Sequence, residues 1–368
     1  MKYSYSYYDE EDFDAYVKQF DNYSLLQSRE WIAIKKANWN GKRILFYEDE
    51  NVVGTALILI REIAFNKKFI YVPYGPLFDY SNKDLFKFIT KSLREIAKSN
   101  NAIFVKVVPP LFDDDSIGID FKNNGWIENI TEKSFESIQP KLNAVVKDFK
   151  LTKRMKQQLR TVENKNVTAV YSSGSSGNEF NHLLDSFCYL TKFTENRQGI
   201  KLRDREYFRE LLYRYPNSFI TVSYIDKDKQ ISKLKEEFNN SIDKAKMELD
   251  KLESNHKKLI PISGTLTVMY EDTAELLYSG FDDNFKSYNA PFYSWTKSIQ
   301  RAFEINPNLK YVNLGGVENK GNLLNFKKKF HPEIRTSCNE FDLPITSLYY
   351  LFKFALKHKK FIFKFIKK

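Results

Sequence analysis

Five cations, Lys150, Lys153, Arg154, Lys156 and Arg160, recur along one predicted helix, a spacing that can follow the phosphates of an RNA backbone. A solvated helix face carries the same pattern, so alone it names a surface rather than a ligand. The usual engines of group transfer are missing around it. No G-x-x-x-x-G-K-[ST] loop occurs to hold ATP, and no G-x-G-x-x-G opens a helix after a strand. His182, His256, His331 and His358 lack H-x-x-x-H or H-E-x-x-H spacing, which argues against zinc hydrolysis. Cys188 and Cys338, the only cysteines, are too few for a disulfide framework or a cysteine-ligated zinc site and fit a reducing compartment. A bond-forming enzyme with this inventory needs a donor that arrives activated; neither a cofactor nor a metal is expected.

Two such donors suit an α/β acyltransferase fold: thioesters of coenzyme A and amino-acid esters of tRNA. In the acetyltransferase fold a [RQ]-x-x-G-x-[GA] loop between the fourth strand and its helix cradles the pyrophosphate with backbone N–H groups. The corresponding loop here would be FDDNFKSYNAP, after the strand AELLYSG. It has no glycine and two aspartates, which disfavours coenzyme A.

The elements that must position this chemistry alternate. A helix in SREWIAIKKANW, capped by Ser28, precedes the strand pair KRILFYEDENVVGTALILIREI; strand KKFIYVPYG, helix SNKDLFKFITKSLREIAKSN capped by Ser81 and strand AIFVKVVPP follow. After Lys147 the order returns, from helix LTKRMKQQLRTVENK to strand YVNLGG. This is α/β, and the length with 42% apolar and 16% aromatic residues supports two core-forming units. The SSGSSG loop from Ser172 to Gly177 reads as a phosphate cradle or, lacking any lysine signature, a plain connector.

The chain resembles the Fem family of aminoacyl-tRNA-dependent ligases that build peptidoglycan cross-bridges. The pieces that carry the likeness are QSREWIAIKK, YVPYGPLFDY, KVVPP, PISGTLTVMYEDTAELLYSGFDDNF, YNAPFYSW, NLGGVE and FKKKFHPEI, in that order. The resemblance implies a tandem of two acetyltransferase-like (GNAT-like) domains, at 1–146 and 147–368, with a coiled-coil helical hairpin inserted at 226–259. It implies transfer of glycine, alanine or serine from aminoacyl-tRNA to a peptidoglycan precursor, either lipid II or UDP-MurNAc-pentapeptide. Other Fem-type ligases are further candidate partners.

The resemblance also supplies roles. Lys35, in the W-x-x-x-K of Trp31, looks like the family's precursor-binding lysine, with Lys36 as its substitute; Arg203 and Tyr207 match an R-x-x-x-Y pair that grips the precursor. Tyr278 and the pair Phe326 and Lys327 fall at matching spacing. Attack of an amine on an ester passes through an oxyanion, which a fixed cation stabilises by ~3–4 kcal/mol. Lys327 is the candidate for that cation, and Tyr278 for orienting the amine or relaying its proton, since a phenol both donates and accepts; Lys153, Arg154, Lys156 and Arg160 become candidate tRNA contacts. Arg203 has a competing reading as a surface ion pair with Asp204 or Glu206. Val108 stands where some members carry an acidic residue, so a carboxylate base there is not expected.

Two segments remain. Between Asp226 and Lys258, Ile231, Leu234, Phe238, Ile242, Ala245, Leu249 and Leu252 form an apolar stripe, and the spacing predicts two antiparallel helices turning at Asn239 and Asn240. From Leu348 the segment LYYLFKFALKHKKFIFKFIKK mixes aromatics with lysines; it fits either a helix packed on the body or an anionic bilayer surface. The net charge of +11 favours phosphate-bearing partners, and the acidic N-terminus with no apolar run of ~18 residues predicts a cytoplasmic chain. A catalytically idle relative that binds precursor or a partner protein, as a resistance or immunity factor, is the alternative function.

Overall fold

The computed structural model describes residues 2–63, 66–114, 116–174, 176–237 and 242–357. Two compact units are present: 1–143 with 316–319 and 335–368, and 144–315 with 320–334. In chain order the first unit contains β1 (Tyr3–Tyr7), α1 (Phe13–Val17), α2 (Arg29–Lys35), β2 (Asn40–Glu48), β3 (Asn51–Glu62), β4 (Lys68–Val72), β5 (Leu77–Phe78), α3 (Lys83–Ser99), β6 (Ala102–Val107), α4 (Gly118–Asn123) and β7 (Ile127–Asn129). There follow β8 (Leu142–Val146), α5 (Lys153–Glu163), β9 (Val167–Ser173), α6 (Asn178–Gln198), α7 (Arg205–Arg214), β10 (Phe219–Asp226), α8 (Lys227–Glu237), α9 (Ile242–Glu253), β11 (Leu259–Tyr270), β12 (Thr273–Phe281), α10 (Ala290–Ile305), β13 (Tyr311–Val317), α11 (Asn322–Lys327), β14 (Glu333–Thr336), β15 (Glu340–Pro344) and α12 (Leu348–Lys357).

Unit 1 is built on an eight-stranded sheet in the order β1-β2-β3-β4-β6-β15-β7, with β5 on β3. Helix α3 covers it because Leu85, Phe86, Ile89, Leu93, Ile96 and Ala97 recur every three or four residues and bury one stripe against Ile58, Ile70 and Val105. Its N-cap is Asn82, which accepts from the Leu85 N–H at 3.0 Å; the expected cap Ser81 instead hydrogen-bonds the Asp79 carboxylate.

The C-terminal segment, assigned from the sequence to the second domain, belongs to unit 1. Strand β15 pairs antiparallel with both β6 and β7. A buried charge cluster fastens it: Lys106 lies 2.8 Å from Glu340 and 2.9 Å from Asp342, and Asp342 also meets Lys353 of α12 at 2.9 Å. Apolar alternation reveals a strand but not its partner, which is why the sequence left this segment with its neighbours.

In unit 2 the seven-stranded sheet runs β14-β8-β13-β12-β11-β10-β9. Helix α6 lies on one face and approaches closely where Gly264 and Gly280 pair, since a Cβ on Gly280 would come within 2.4 Å of the Leu190 carbonyl. Helix α10 covers the other face through buried hydroxyls that satisfy one another, Ser223 with Ser294 at 2.8 Å and Thr221 with Ser298 at 2.8 Å. Strands β12 and β13 are parallel but pair only over Thr273–Glu275 and Tyr311–Asn313, and a bulge at Leu277 bends β12 immediately beyond. The two strands therefore part toward their C-terminal ends, the position where parallel sheets place ligands.

Between β10 and β11 the chain leaves at Asp226 and returns at its partner Leu259. Helices α8 and α9, of 11 and 12 residues, pack together with Leu234 and Leu252 buried and Lys235 bridged to Glu253 at 2.8 Å. The expected turn at Asn239 and Asn240 lies outside the described residues. No coiled-coil insertion is shown among the described residues.

Candidate active site

Tyr278 sits on β12 just past the bulge, half-buried, where α7 meets the sheet. Phe208 packs edge-on against it at 5.0 Å between ring centroids, and Tyr207 at 6.3 Å. Helix α7 is held in this pose by Asp204, whose carboxylate caps the Tyr207 N–H at 2.9 Å. Burial, then the neighbouring Tyr278, pushes the Tyr207 phenol far above its ordinary value, so it remains a hydrogen-bond donor. Arg203 lies on the Tyr207 ring at 5.0 Å. Of the two carboxylates beside it, Asp204 is the helix cap, and Glu206 pairs with Arg205 at 3.6 Å and Arg209 at 2.5 Å. Arg203, Tyr207 and Tyr278 thus form one contiguous group with an exposed guanidinium at its rim.

Phe326 and Lys327 end the short helix α11. Phe326 is locked among Trp295 of α10 at 5.2 Å and Phe330 at 5.4 Å. That cluster turns the next side chain inward: Lys327 is 4% exposed, with its ammonium 5.8 Å from the Trp295 ring. Gly315 on β13 lies against it: a Cβ there would stand in ordinary contact, 3.5 Å from Nζ. Burial alone pulls the lysine down from 10.5 to about 7, so amine and ammonium coexist near neutrality. A lysine of this kind can exchange a proton with an attacking amine or donate to an oxyanion.

Glu275 and Asn313 escaped the sequence reading. On β11, Leu266 and Val268 face one side, so their partners Tyr278 and Glu275 face that side together, the bulge having inserted Leu277 between them. Burial pushes the Glu275 carboxyl up to about 8, against the opposing hydrogen bond from Asn313. The motif NLGG held half of the clue; the carboxylate partner comes from a strand nearly forty residues away in sequence, which local pattern does not reach.

The remaining candidates lie on other elements. Lys35 belongs to unit 1, its ammonium 4.2 Å above the Trp31 ring, followed by exposed Lys36. Val108 is buried and its backbone bonds Gly75 and Val72, so it serves the sheet. Lys153, Arg154, Lys156 and Arg160 are all exposed on α5, whose buried face is Met155, Leu159 and Val162. In the loop between β12 and α10 the Asp282 carboxylate accepts from the Asn284 N–H at 2.9 Å, occupying a donor that a pyrophosphate would need. Among the described residues no group of three His, Cys, Asp or Glu could hold a metal ion.

The FemAB family profile matches residues 8–255 and 227–358. The chain is 25% identical over 328 residues to the lipid II:glycine glycyltransferase of Staphylococcus aureus, covering 76% of each chain. A solved structure of FemX superposes with a TM-score of 0.75 at 22% identity, over 95% of this chain and 99% of that one. A tandem GNAT protein from the clavulanic acid biosynthesis pathway gives 0.54 at 8% identity, over 94% and 99%, which carries the fold alone. With a two-sheet fold of tandem GNAT type and a profile match along most of its length, the chain belongs to the FemAB family and is an aminoacyltransferase of peptidoglycan synthesis.

Proposed function

We propose that the chain moves an amino acid from the ester of aminoacyl-tRNA to an amine on the peptide of a lipid-linked peptidoglycan precursor, at the inner face of the cell membrane. The observation that carries this is Lys327: a buried lysine, adjusted to about 7, standing over Gly315 where β12 and β13 part. The acceptor nitrogen forms the new C–N bond, the ester C–O bond to the tRNA ribose breaks, and the proton from nitrogen ends on the ribose oxygen. The Lys327 ammonium donates to the carbonyl oxygen as it becomes an oxyanion. Tyr278 orients the amine, with Tyr207 behind it, and Phe326 fixes the end of α11.

Arg203 is suited to a phosphate of the precursor, because a guanidinium pairs with phosphate through two parallel N–H bonds; Lys35 and Lys36, in unit 1, are separate candidates for binding the precursor. The exposed cations of α5 suit the tRNA backbone. Glycine is the amino acid that the S. aureus relatives' name suggests. No described helix is long and apolar enough to cross a membrane. A lipid-linked acceptor is supported instead by α12, which leaves Tyr350 and Leu351 exposed and is followed in sequence by a segment of lysines and aromatics.

The test is a transfer assay with purified protein, individually charged tRNAs, and lipid-linked or UDP-linked precursor, read by mass increase of the peptide. Glycine on the lipid-linked form is expected. Product from free amino acid and ATP after RNA digestion would overturn the reading.

A further inference from the structure

Glu275 holds the last paired position of β12 before the strands part, opposite Asn313. Asn313 is used on both sides. Its side-chain amide lies beside the Glu275 carboxyl across the ladder, and its Oδ1 accepts the Gly315 N–H at 2.8 Å. The second bond closes a turn of the side-chain-to-backbone type two residues on, with Gly315 at φ +83, a conformation only glycine adopts cheaply. That same glycine is the surface on which the Lys327 ammonium stands. A series of neighbours thus runs from Glu275 through its ladder partner Asn313 and Gly315 to Lys327, every member within unit 2.

We propose that Glu275 is a positioning residue for Lys327: by holding the Asn313 amide it fixes the β13 turn at Gly315 that sets where the catalytic cation stands. The kinetic consequence rests on the aminoacyl-transfer reading; the geometric one does not. Without an acceptor at position 275 the Asn313 amide loses its partner, and its oxygen is released to rotate away from Gly315. Glutamine retains an acceptor oxygen of the same reach, whereas leucine retains only the volume.

The experiment compares Glu275→Gln, Glu275→Leu, Asn313→Leu and the double leucine variant by crystal structure and steady-state kinetics at saturating charged tRNA. Glu275→Gln is expected within about threefold of wild type in kcat and KM, while Glu275→Leu loses about 10–100-fold in kcat with KM nearly unchanged, the signature of a misplaced catalytic group. Asn313→Leu is expected to lose as much, and the double variant no more than either. In the leucine variants Gly315 leaves the left-handed region and Lys327 shifts. A glutamine variant as inactive as the leucine one would make Glu275 a proton acceptor and overturn the proposal, as would a leucine variant in which Gly315 and Lys327 keep their places. Should one leucine variant fail to fold, the other decides by the same two readouts. If wild type transfers no amino acid under any donor, the proposed function falls while the Gly315 geometry still decides this inference.

Discussion

Replacing Lys327 with methionine should stabilise the protein and abolish most of its turnover. Lys327 is 4% exposed and is drawn by burial from 10.5 to about 7. Below about pH 7 folded and unfolded chains both carry the ammonium, and the folded one bears the full cost of burying it. Between there and 10.5 the folded lysine sheds its proton and the cost falls by ~1.4 kcal/mol per pH unit; above 10.5 it is gone. At neutral pH the gap corresponds to about 5 kcal/mol, an upper figure from which the lost contact with Trp295 removes roughly 0.5–2 kcal/mol. Methionine keeps the length and apolar stem and has no charge to bury. Urea denaturation at pH 7 and pH 10 measures this: the variant is expected to be more stable at pH 7, with the advantage shrinking toward zero by pH 10. Its kcat should fall about 100- to 1000-fold, the loss of one oxyanion donor. Wild-type kcat should decline as pH rises past about 7, because the ammonium is the working form, and the variant's residual activity should lack that decline. Retained turnover would remove Lys327 from the mechanism, and a variant less stable at pH 7 would show the burial argument wrong.

Arg203→Ala should weaken precursor affinity by about 10–100-fold, the loss of one charge-assisted contact, with kcat little changed; isothermal titration against UDP-linked precursor measures it. Asp342→Asn leaves Lys106 and Lys353 short of a buried partner and should cost about 3–5 kcal/mol at pH 7 in chemical denaturation. Burial raises the Asp342 carboxyl, but Lys106 and Lys353 more than reverse this, so its net position is below 3.8. Its stabilisation is therefore present above that pH and lost as pH falls further, and the difference between variant and wild type should narrow in acid. Gly280→Ala drives a methyl into the Leu190 backbone and should destabilise by roughly 1–3 kcal/mol without altering the pH dependence of any residual turnover.

The sequence alone determined most of the elements. The strand pair β2 and β3, the stripe of α3 and the helix α10 are written in two-residue and three-to-four-residue periodicities, which depend only on nearby side chains. The absence of an ATP loop pointed to an activated donor, and ordered short motifs pointed to the family and to Arg203, Tyr207, Tyr278 and Lys327. What it could not determine was which strands pair and how dry a side chain becomes. Strand β15 joins β6 and β7 across more than two hundred residues, the cap of α3 moves from Ser81 to Asn82, and Glu275 meets Asn313 through a parallel pairing. Lys327, Lys328 and Lys329 are adjacent and alike in residue type, yet Lys328 and Lys329 are exposed and Lys327 is buried under Phe326 and Trp295. The proton affinity of a lysine is set by the medium around its nitrogen, and that medium is assembled from α10, α11 and β13, elements that only the folded chain brings together.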